Sequence, residues 1–279
     1  MKKVFKFSEN SQITHKTDPP FITRLGSRFF KASNGILEFY WFSIHVMLRI
    51  FHLSRKRRIN NTVLMRQILF TGYDALSLIG IISLSIGALI VLEVGQITGK
   101  LGETRLVYEL IVVIVVRQLG IIFTAFIVIA RSGTAISTEL GNMVVNKEID
   151  LLDSFGISPV EYLIIPRVIG MIVSLFTLTL YFNFISVIGG YILYNIVYSP
   201  VNIFIFINRI ISEMSFLDVS MMVIKSMLFG IAIGLISCYH GLKVSGASTE
   251  VPQRTIRSVV NSVASIIILD IIATIFSYL

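Results

Sequence analysis

The sequence predicts an all-α integral membrane protein: an N-terminal helix in the membrane interface, then about five membrane-spanning helices. Of the 279 residues, 54% are hydrophobic and only 14% are charged, and the mean hydropathy is +0.82. A soluble domain has about 25% charged residues, so the expected solvent is lipid. After Asp74, several apolar runs reach the length of about 20 residues that a helix needs to cross a bilayer.

The chain before these runs divides into two parts. Residues 1–35 are predicted to be a flexible N-terminal extension, and residues 36–73 an interfacial or elbow helical segment. Within the second part, 36–53 is apolar and aromatic-rich but contains Glu38 and Arg49. A spanning helix there would place the lysines near the N-terminus outside. The favoured interpretation is a helix in the cytoplasmic interface with Trp41 at the level of the headgroups, and a spanning helix is the alternative.

The transmembrane domain is predicted to cover residues 74–279. Four apolar runs of spanning length lie at about 75–97, 106–130, 216–240 and 259–278. A fifth run, 163–198, is longer than one crossing needs and contains Gly189-Gly190, so it is either one long bent helix or a tight hairpin. A single crossing places the loops richer in Lys and Arg on the side of the N-terminus, where 13 of the 24 Lys and Arg lie within the first 66 residues. This asymmetry predicts five spans and a cytoplasmic N-terminus.

A polar segment interrupts the apolar chain between the second and third spans. From about 134 to 155, apolar and polar residues fall on opposite faces of a single predicted amphipathic helix. Gly156 is expected to end the helix, and Pro159 makes its resumption unfavourable. Helices that rest on a lipid surface usually carry Lys and Arg on the polar face. Here that face is acidic, with Glu139, Asp150 and Asp153, which favours a protein partner over the alternative of a helix resting on lipid.

Two charged residues are predicted to pair inside the membrane. Lys225 lies about nine residues from the outer end of the fourth span, and Asp270 lies nine residues from Leu279, the end of the fifth. At 1.5 Å per residue, both lie about 14 Å deep on antiparallel helices. Because an ionised group at mid-bilayer costs about 2.5–3.5 kcal/mol, a structural ion pair is favoured over a proton relay.

The polar segment carries a sequence signature. In chain order it contains Ala130-Arg131-Ser132-Gly133, Glu139-Leu140-Gly141-Asn142-Met143, Glu148-Ile149-Asp150, Gly156-Ile157-Ser158-Pro159 and Pro166-Arg167. This pattern resembles that of the MlaE/YrbE permease family, the membrane subunits of ABC transporters that work with MCE proteins. The likeness continues through Arg66-Gln67 and the stretches 224–241 and 254–270, and so covers roughly 60–279.

The resemblance implies a function. Such a permease forms a homodimer in the inner membrane and moves phospholipid between that membrane and a periplasmic MCE protein. The helix between spans two and three would be the coupling helix that docks on a cytoplasmic ABC ATPase, which holds ATP and Mg²⁺. A small cytoplasmic STAS-type protein is a further possible partner, and no cofactor is expected in this chain. The coupling residues implied are Glu139, Met143, Glu148, Asp150 and Asp153.

The resemblance also implies a lipid cavity, and here the chain departs from the family. The expected lining residues are Leu89, Leu92, Glu93, Arg117 and Gln118. The family usually has Arg-Glu-Leu-Gly-Pro where this chain has Gln118 in place of the acid and Ile121 in place of the proline. Arg117 thus lacks a local counter-charge and is expected to meet a lipid phosphate or Glu93.

Several functions are disfavoured by residue content. No glycine-rich phosphate loop of the Walker type occurs, so ATP hydrolysis is expected on a separate subunit. With one cysteine and four scattered histidines, no metal site is expected. The basic residues cluster near the N-terminus of an apolar chain, so nucleic acid is not expected as a partner. Two rival functions remain: an ion-coupled carrier or channel that uses the intramembrane charges, and a membrane scaffold for an MCE protein without transport of its own.

Overall fold

The computed structural model describes residues 35, 37–50, 61–101, 105–198 and 201–278, and every regular element within these ranges is helical. The elements are α1 (37–50), α2 (Asn61–Gly72), α3 (Leu76–Leu101), α4 (Arg105–Ile111), α5 (Gly120–Val128), α6 (Thr134–Val145), α7 (Glu148–Ser154), α8 (Ile165–Val197), α9 (Ile203–Glu213), α10 (Phe216–Leu242) and α11 (Glu250–Tyr278). A 3-10 turn, Tyr73–Ala75, joins α2 to α3, and π-helical segments occupy Val112–Leu119, Ile129–Gly133 and Val160–Ile164. The predicted extension, except for residue 35, lies outside the described residues.

Five helical stretches among the described residues are long and apolar enough to cross a membrane, which confirms the predicted fold class. They are Thr62–Gln96, Tyr108–Val145, Val160–Val197, Phe216–Leu242 and Glu250–Ser277. The third stretch settles the alternative left open for 163–198, because α8 continues through Gly189-Gly190 without a turn. One long helix, and not a hairpin, is therefore present.

The spans alternate in direction, so the bundle has two distinct ends. We call the end that carries α7 and the loop 243–249 the motif end, and the end that carries α9 the far end. The core lies where α8 packs between α3 and α10. Phe182 of α8 and Phe229 of α10 are completely buried there.

Glycines allow α3 and α8 to approach each other closely. A Cβ atom at Gly87 would lie 2.0 Å from the carbonyl oxygen of Ser186, and one at Gly189 would lie 2.5 Å from that of Leu84. Both distances are shorter than any van der Waals contact between such atoms. Small residues at these positions are what bring the two backbones together, as is common between helices in membranes.

The first helix lies along the motif end of the bundle. Near its start, Glu38 accepts a hydrogen bond from Nζ of Lys243 at 2.6 Å, and near its end Arg49 pairs with Glu161 at 2.8 Å. The two contacts are about 16 Å apart along the helix, yet both partners lie where spans three and four reach the motif end. The helix is thus held against the motif end near both of its ends and buries Val46 against the bundle; its position in the membrane interface stays a prediction.

The segment 134–155 is not a single helix. The second span continues through α6 to Val145, and the backbone then turns at Lys147, whose φ is 59°. This left-handed conformation is costly for a residue with a side chain, and it separates α6 from the short helix α7. The signature residues Ala130–Gly133 are likewise part of the continuous helix, within a π-helical segment.

An additional amphipathic helix, α9, occupies the connection at the far end. Asn202 caps it by accepting a hydrogen bond from the backbone N–H of Phe204 at 2.9 Å. Phe206 and Ile210 are buried against the bundle, and the opposite face is exposed. The helix was not predicted, although its apolar spacing of four residues and the capping asparagine are sequence signals for it.

Candidate functional site

The short helix α7 presents an exposed surface that is both acidic and apolar. Glu148, Asp150 and Asp153 are all exposed. Leu151 is 56% exposed and Phe155, which follows the helix, is 77% exposed. An exposed phenylalanine next to three carboxylates is typical of a surface that a protein partner covers. We call residues 148–155 the α7 surface.

The apolar side chains of segment 134–155 pack against the bundle in α6 but not in α7. Leu140 is completely buried and Met143 packs against the core, whereas Leu151 and Phe155 point away from the bundle. The turn at Lys147 is the reason, because it breaks the helical phase that would have aligned both halves. A second positive φ, 72° at Gly156, then returns the chain towards the third span.

Glu139 is held within the molecule and does not belong to the α7 surface. Its Oε1 atom lies 2.8 Å from Nη2 of Arg167, and the side chain of Arg167 is 6% exposed while that of Glu139 is 56% exposed. Both are signature residues. The pair joins α6, the extension of span two, to the start of span three, so Glu139 braces the region from which α7 projects.

Two further ion pairs hold the motif end together. Arg131 lies 2.7 Å from the carboxylate of Asp74, which joins the second span to the beginning of the first. Lys243 bonds both Glu38 and the hydroxyl of Tyr239. Burial opposes its charge, but these hydrogen bonds outweigh burial and raise the pKa of Lys243 above its usual value of 10.5.

Inside the membrane, the structure brings Lys225 and Asp270 together. Nζ of Lys225 lies 2.9 Å from Oδ1 of Asp270, and the two side chains are 5% and 8% exposed. Lys225 also donates to Thr274 at 2.9 Å. Gln118 completes the group: its amide donates to Asp270, and its oxygen accepts from Lys225 at 3.3 Å. These four side chains form what we call the polar cluster.

Gln118 belongs to the polar cluster, where it bonds both members of the buried pair. Its expected place in a lipid cavity stays a prediction. A neutral amide can donate to the carboxylate and accept from the ammonium at the same time, which a glutamate could not do in its charged form. Gln118, which stands where the family has an acid, therefore suits a site that contains the carboxylate of Asp270 and the ammonium group of Lys225.

Arg117 also has a partner that the sequence analysis missed. Its Nε and Nη2 atoms lie 2.6 Å and 3.1 Å from the two carboxylate oxygens of Asp218, in the first turn of α10. Asp218 also accepts from the backbone N–H of Ser215 in a capping box. Arg117 therefore pairs with Asp218 and not with Glu93, while its expected contact with a lipid phosphate stays a prediction. The capping sequence Ser215-x-x-Asp218 marked the helix start, but nothing local indicated the distant arginine.

The remaining residues expected in the lipid cavity lie on α3. Leu89 is 61% exposed, Glu93 is exposed and Leu92 is partly exposed, so they share a side of the helix that the chain itself leaves uncovered. Among the described residues, no group of three or more His, Cys, Asp or Glu side chains is arranged to hold a metal ion.

Comparison with known proteins identifies the family. The family described as Permease MlaE matches residues 64–276. The chain belongs to the MlaE permease family. A probable ABC transporter permease protein of Rickettsia typhi is 29% identical over 213 residues, covering 76% of this chain and 82% of the relative. A probable ABC transporter permease protein of Synechocystis is 28% identical over 211 residues, covering 76% and 80%.

A plant relative extends the comparison. The chloroplastic protein trigalactosyldiacylglycerol 1 of Arabidopsis thaliana is 30% identical over 233 residues, covering 84% of this chain and 65% of the relative. As an MlaE permease, this protein is the transmembrane component of an ABC transporter, and that role implies an ATPase partner. The MlaE match begins within α2 and ends within α11, so it contains the α7 surface and all five spans except for one or two residues at the outer limits of the first and the fifth.

Proposed function

We propose that the protein is the permease subunit of an ATP-driven transporter that moves phospholipid between the inner membrane and a periplasmic MCE protein. The observation that supports this most directly is the α7 surface. It combines exposed carboxylates with the exposed side chains of Leu151 and Phe155, and it projects from a span and not from a flexible loop. The distribution of basic loops favours a cytoplasmic motif end, where an ATPase would meet it.

The contacts at the motif end would transmit a motion of α7 to the transmembrane helices. α6 continues the second span without a break, and the Glu139–Arg167 pair connects α6 to the third span. A displacement of α7 by the ATPase would therefore move two spans together. ATP and Mg²⁺ would be bound by the ATPase subunit, and we propose no cofactor for this chain.

The substrate cavity would form between two copies of the chain. The uncovered side of α3, with Leu89, Leu92 and Glu93, offers an apolar wall that a second copy could complete. The name of the Arabidopsis relative includes the name of a diacylglycerol lipid, and this agrees with a lipid substrate. The far end, which carries α9, would face the periplasmic MCE protein, and a STAS-type protein could join the ATPase on the cytoplasmic side.

The contacts inside the membrane favour this function over an ion-coupled carrier. Such a carrier needs charged groups that can change partners during transport, whereas Lys225 and Asp270 are buried in mutual contact and Arg117 binds both oxygens of Asp218. These pairs are better suited to holding α10 against its neighbours.

Co-purification tests the proposal. The tagged full-length chain, expressed with its ABC ATPase and MCE protein, should yield one particle that contains both partners and phospholipid, identified by mass spectrometry. Glu148→Lys and Phe155→Ser should each leave the chain in the membrane and lose the ATPase. Glu109→Lys makes the same charge change at an exposed site on α4, towards the far end, and should retain it. Equal ATPase recovery from all variants would reject the α7 surface as the docking site.

A further inference from the structure

A cavity at the motif end lies apart from every residue assigned above to coupling or to the α3 wall. It has a volume of about 530 Å³ and lies between α1, α10 and α11. Arg254, Arg257 and Lys243 line its mouth, and Phe39, Ile236 and Ile268 contribute apolar wall. Cations and apolar side chains in one cavity fit a ligand with an anionic end and an apolar body.

The chain only partly balances the charge at the mouth. Lys243 is paired with Glu38, and Glu250, one turn before Arg254, interacts with it electrostatically, but among the described residues Arg254 and Arg257 form no close ion pair. Two guanidinium groups one helical turn apart on α11 therefore leave an excess of positive charge at the mouth. Guanidinium groups bind phosphate oxygens with two parallel hydrogen bonds, which makes phosphate the favoured anion.

A buried polar atom in the wall has no partner. His240 is 7% exposed and lines the cavity, and its Nε2 atom lies 2.9 Å from the amide nitrogen of Asn261, while Nδ1 has no hydrogen-bond partner. Since the amide nitrogen donates to Nε2, a neutral ring carries its proton on Nδ1. A buried N–H without an acceptor is costly, but Nδ1 is covered by protein atoms, so a ligand oxygen would reach it only after a shift of the wall.

The cavity continues from its charged mouth into the membrane. Its residues on α11 recur every three or four positions and so lie on one face: Arg254, Arg257, Asn261, Ala264, Ser265 and Ile268. From Arg254 to Ile268 this face extends about 21 Å. Ile268 is 58% exposed, so the part of this face that lies further from the motif end is open to the bilayer. A free phosphate would fill only the mouth, whereas a lipid would contact the whole length.

We propose that this cavity binds the phosphate headgroup of an anionic phospholipid from the leaflet at the motif end, with an acyl chain along α11. The site is separate from the wall proposed on α3, and it does not require that the protein transports lipid. An annular lipid held here would occupy the junction of α1, α10 and α11.

Photocrosslinking tests this site. The full-length chain is reconstituted in phosphatidylcholine nanodiscs that contain a phosphatidylglycerol with a diazirine partway along an acyl chain. Crosslinks mapped by mass spectrometry should fall on peptides with Ile236 and with Ala264–Ile268. Arg254→Gln and Arg257→Gln should each lower this crosslinking about fivefold, the value of one basic residue near an anionic headgroup. Arg66→Gln, an exposed arginine at the same end but outside the cavity, should not.

Three results would overturn the proposal. Equal crosslinking in wild type and both arginine variants would show that Arg254 and Arg257 do not contact the headgroup. Binding of soluble glycerol phosphate that depends on Arg254 and Arg257, with no lipid crosslinks at these peptides, would show that the cavity binds a free anion and not a lipid. Crosslinks between two copies of the chain at these peptides, without lipid, would show that a second copy covers the cavity.

Discussion

The Nζ atom of Lys225 lies 2.9 Å from Oδ1 of Asp270 in the interior of the transmembrane bundle. The pair joins α10 to α11, and Gln118 connects it to the second span. Three spans thus meet at one set of polar contacts. Since either charge alone would be strongly disfavoured in lipid, the contact selects the rotation of α11, a helix that buries little else.

Removal of one member of this pair is expected to destabilise the protein severely. Asp270→Ala leaves the ammonium group of Lys225 buried without its counter-charge, at a cost of about 3–5 kcal/mol. Lys225→Ala in the same chain removes that charge and should recover part of the loss. The measurement is the folded fraction in detergent, by size exclusion after heating. If the loss of stability in the double variant equals the sum of the losses in the two single variants, the two residues do not interact energetically.

Restoration of an acid at position 118 should make stability depend on pH. In Gln118→Glu, the introduced carboxylate lies next to Asp270, with one lysine for two acids, so two negative charges repel each other at a buried site. Protonation removes one of these charges, so the midpoint of thermal unfolding should be closer to wild type at pH 5.5 than at pH 8. Gln118→Met lacks the charge and should be equally destabilised at both pH values. A loss for Gln118→Glu that does not vary with pH would contradict the arrangement.

The bracing role of Glu139 can be separated from docking. Glu139→Gln leaves Arg167 buried without a carboxylate and should lower the free energy of unfolding by about 1–2 kcal/mol, a modest value because Glu139 is half-exposed. Glu148→Gln changes an exposed carboxylate on α7 and should not alter stability. Thermal unfolding of the two variants without the ATPase checks this. Equal midpoints for Glu139→Gln and wild type would show that the pair does not brace α6.

The α3–α8 crossing should tolerate no side chain at its closest point. Gly87→Ala would place a Cβ atom 2.0 Å from the carbonyl oxygen of Ser186 and force the helices apart, with a loss of at least about 2 kcal/mol. Gly72→Ala is the matched control, since the nearest atom to its Cβ would be Oγ of Ser174 at an ordinary 3.6 Å. Folded yield from membranes compares them. Equal yields would show that α3 and α8 do not pack this closely.

The sequence by itself determined the number of spans and the kind of environment that each occupies. Those properties depend on apolar length and on charge, which add up along the chain, so 75–97 or 216–240 can be recognised without knowledge of any neighbour. The meeting of Lys225 and Asp270 could be predicted for a similar reason, because depth in a bilayer follows from counting residues along a helix. The acidic segment between spans two and three could equally be recognised from its pattern of polar and apolar residues.

Only the tertiary structure decided which residues face each other. The partner of Arg117 is Asp218, about a hundred residues away, because it depends on how α10 is rotated against the second span. The turn at Lys147, which exposes Phe155, follows from the path that the chain takes to reach the third span and not from a local breaker. Burial in lipid requires that every charge find a partner, but the rotation and register of packed helices determine which partner it finds.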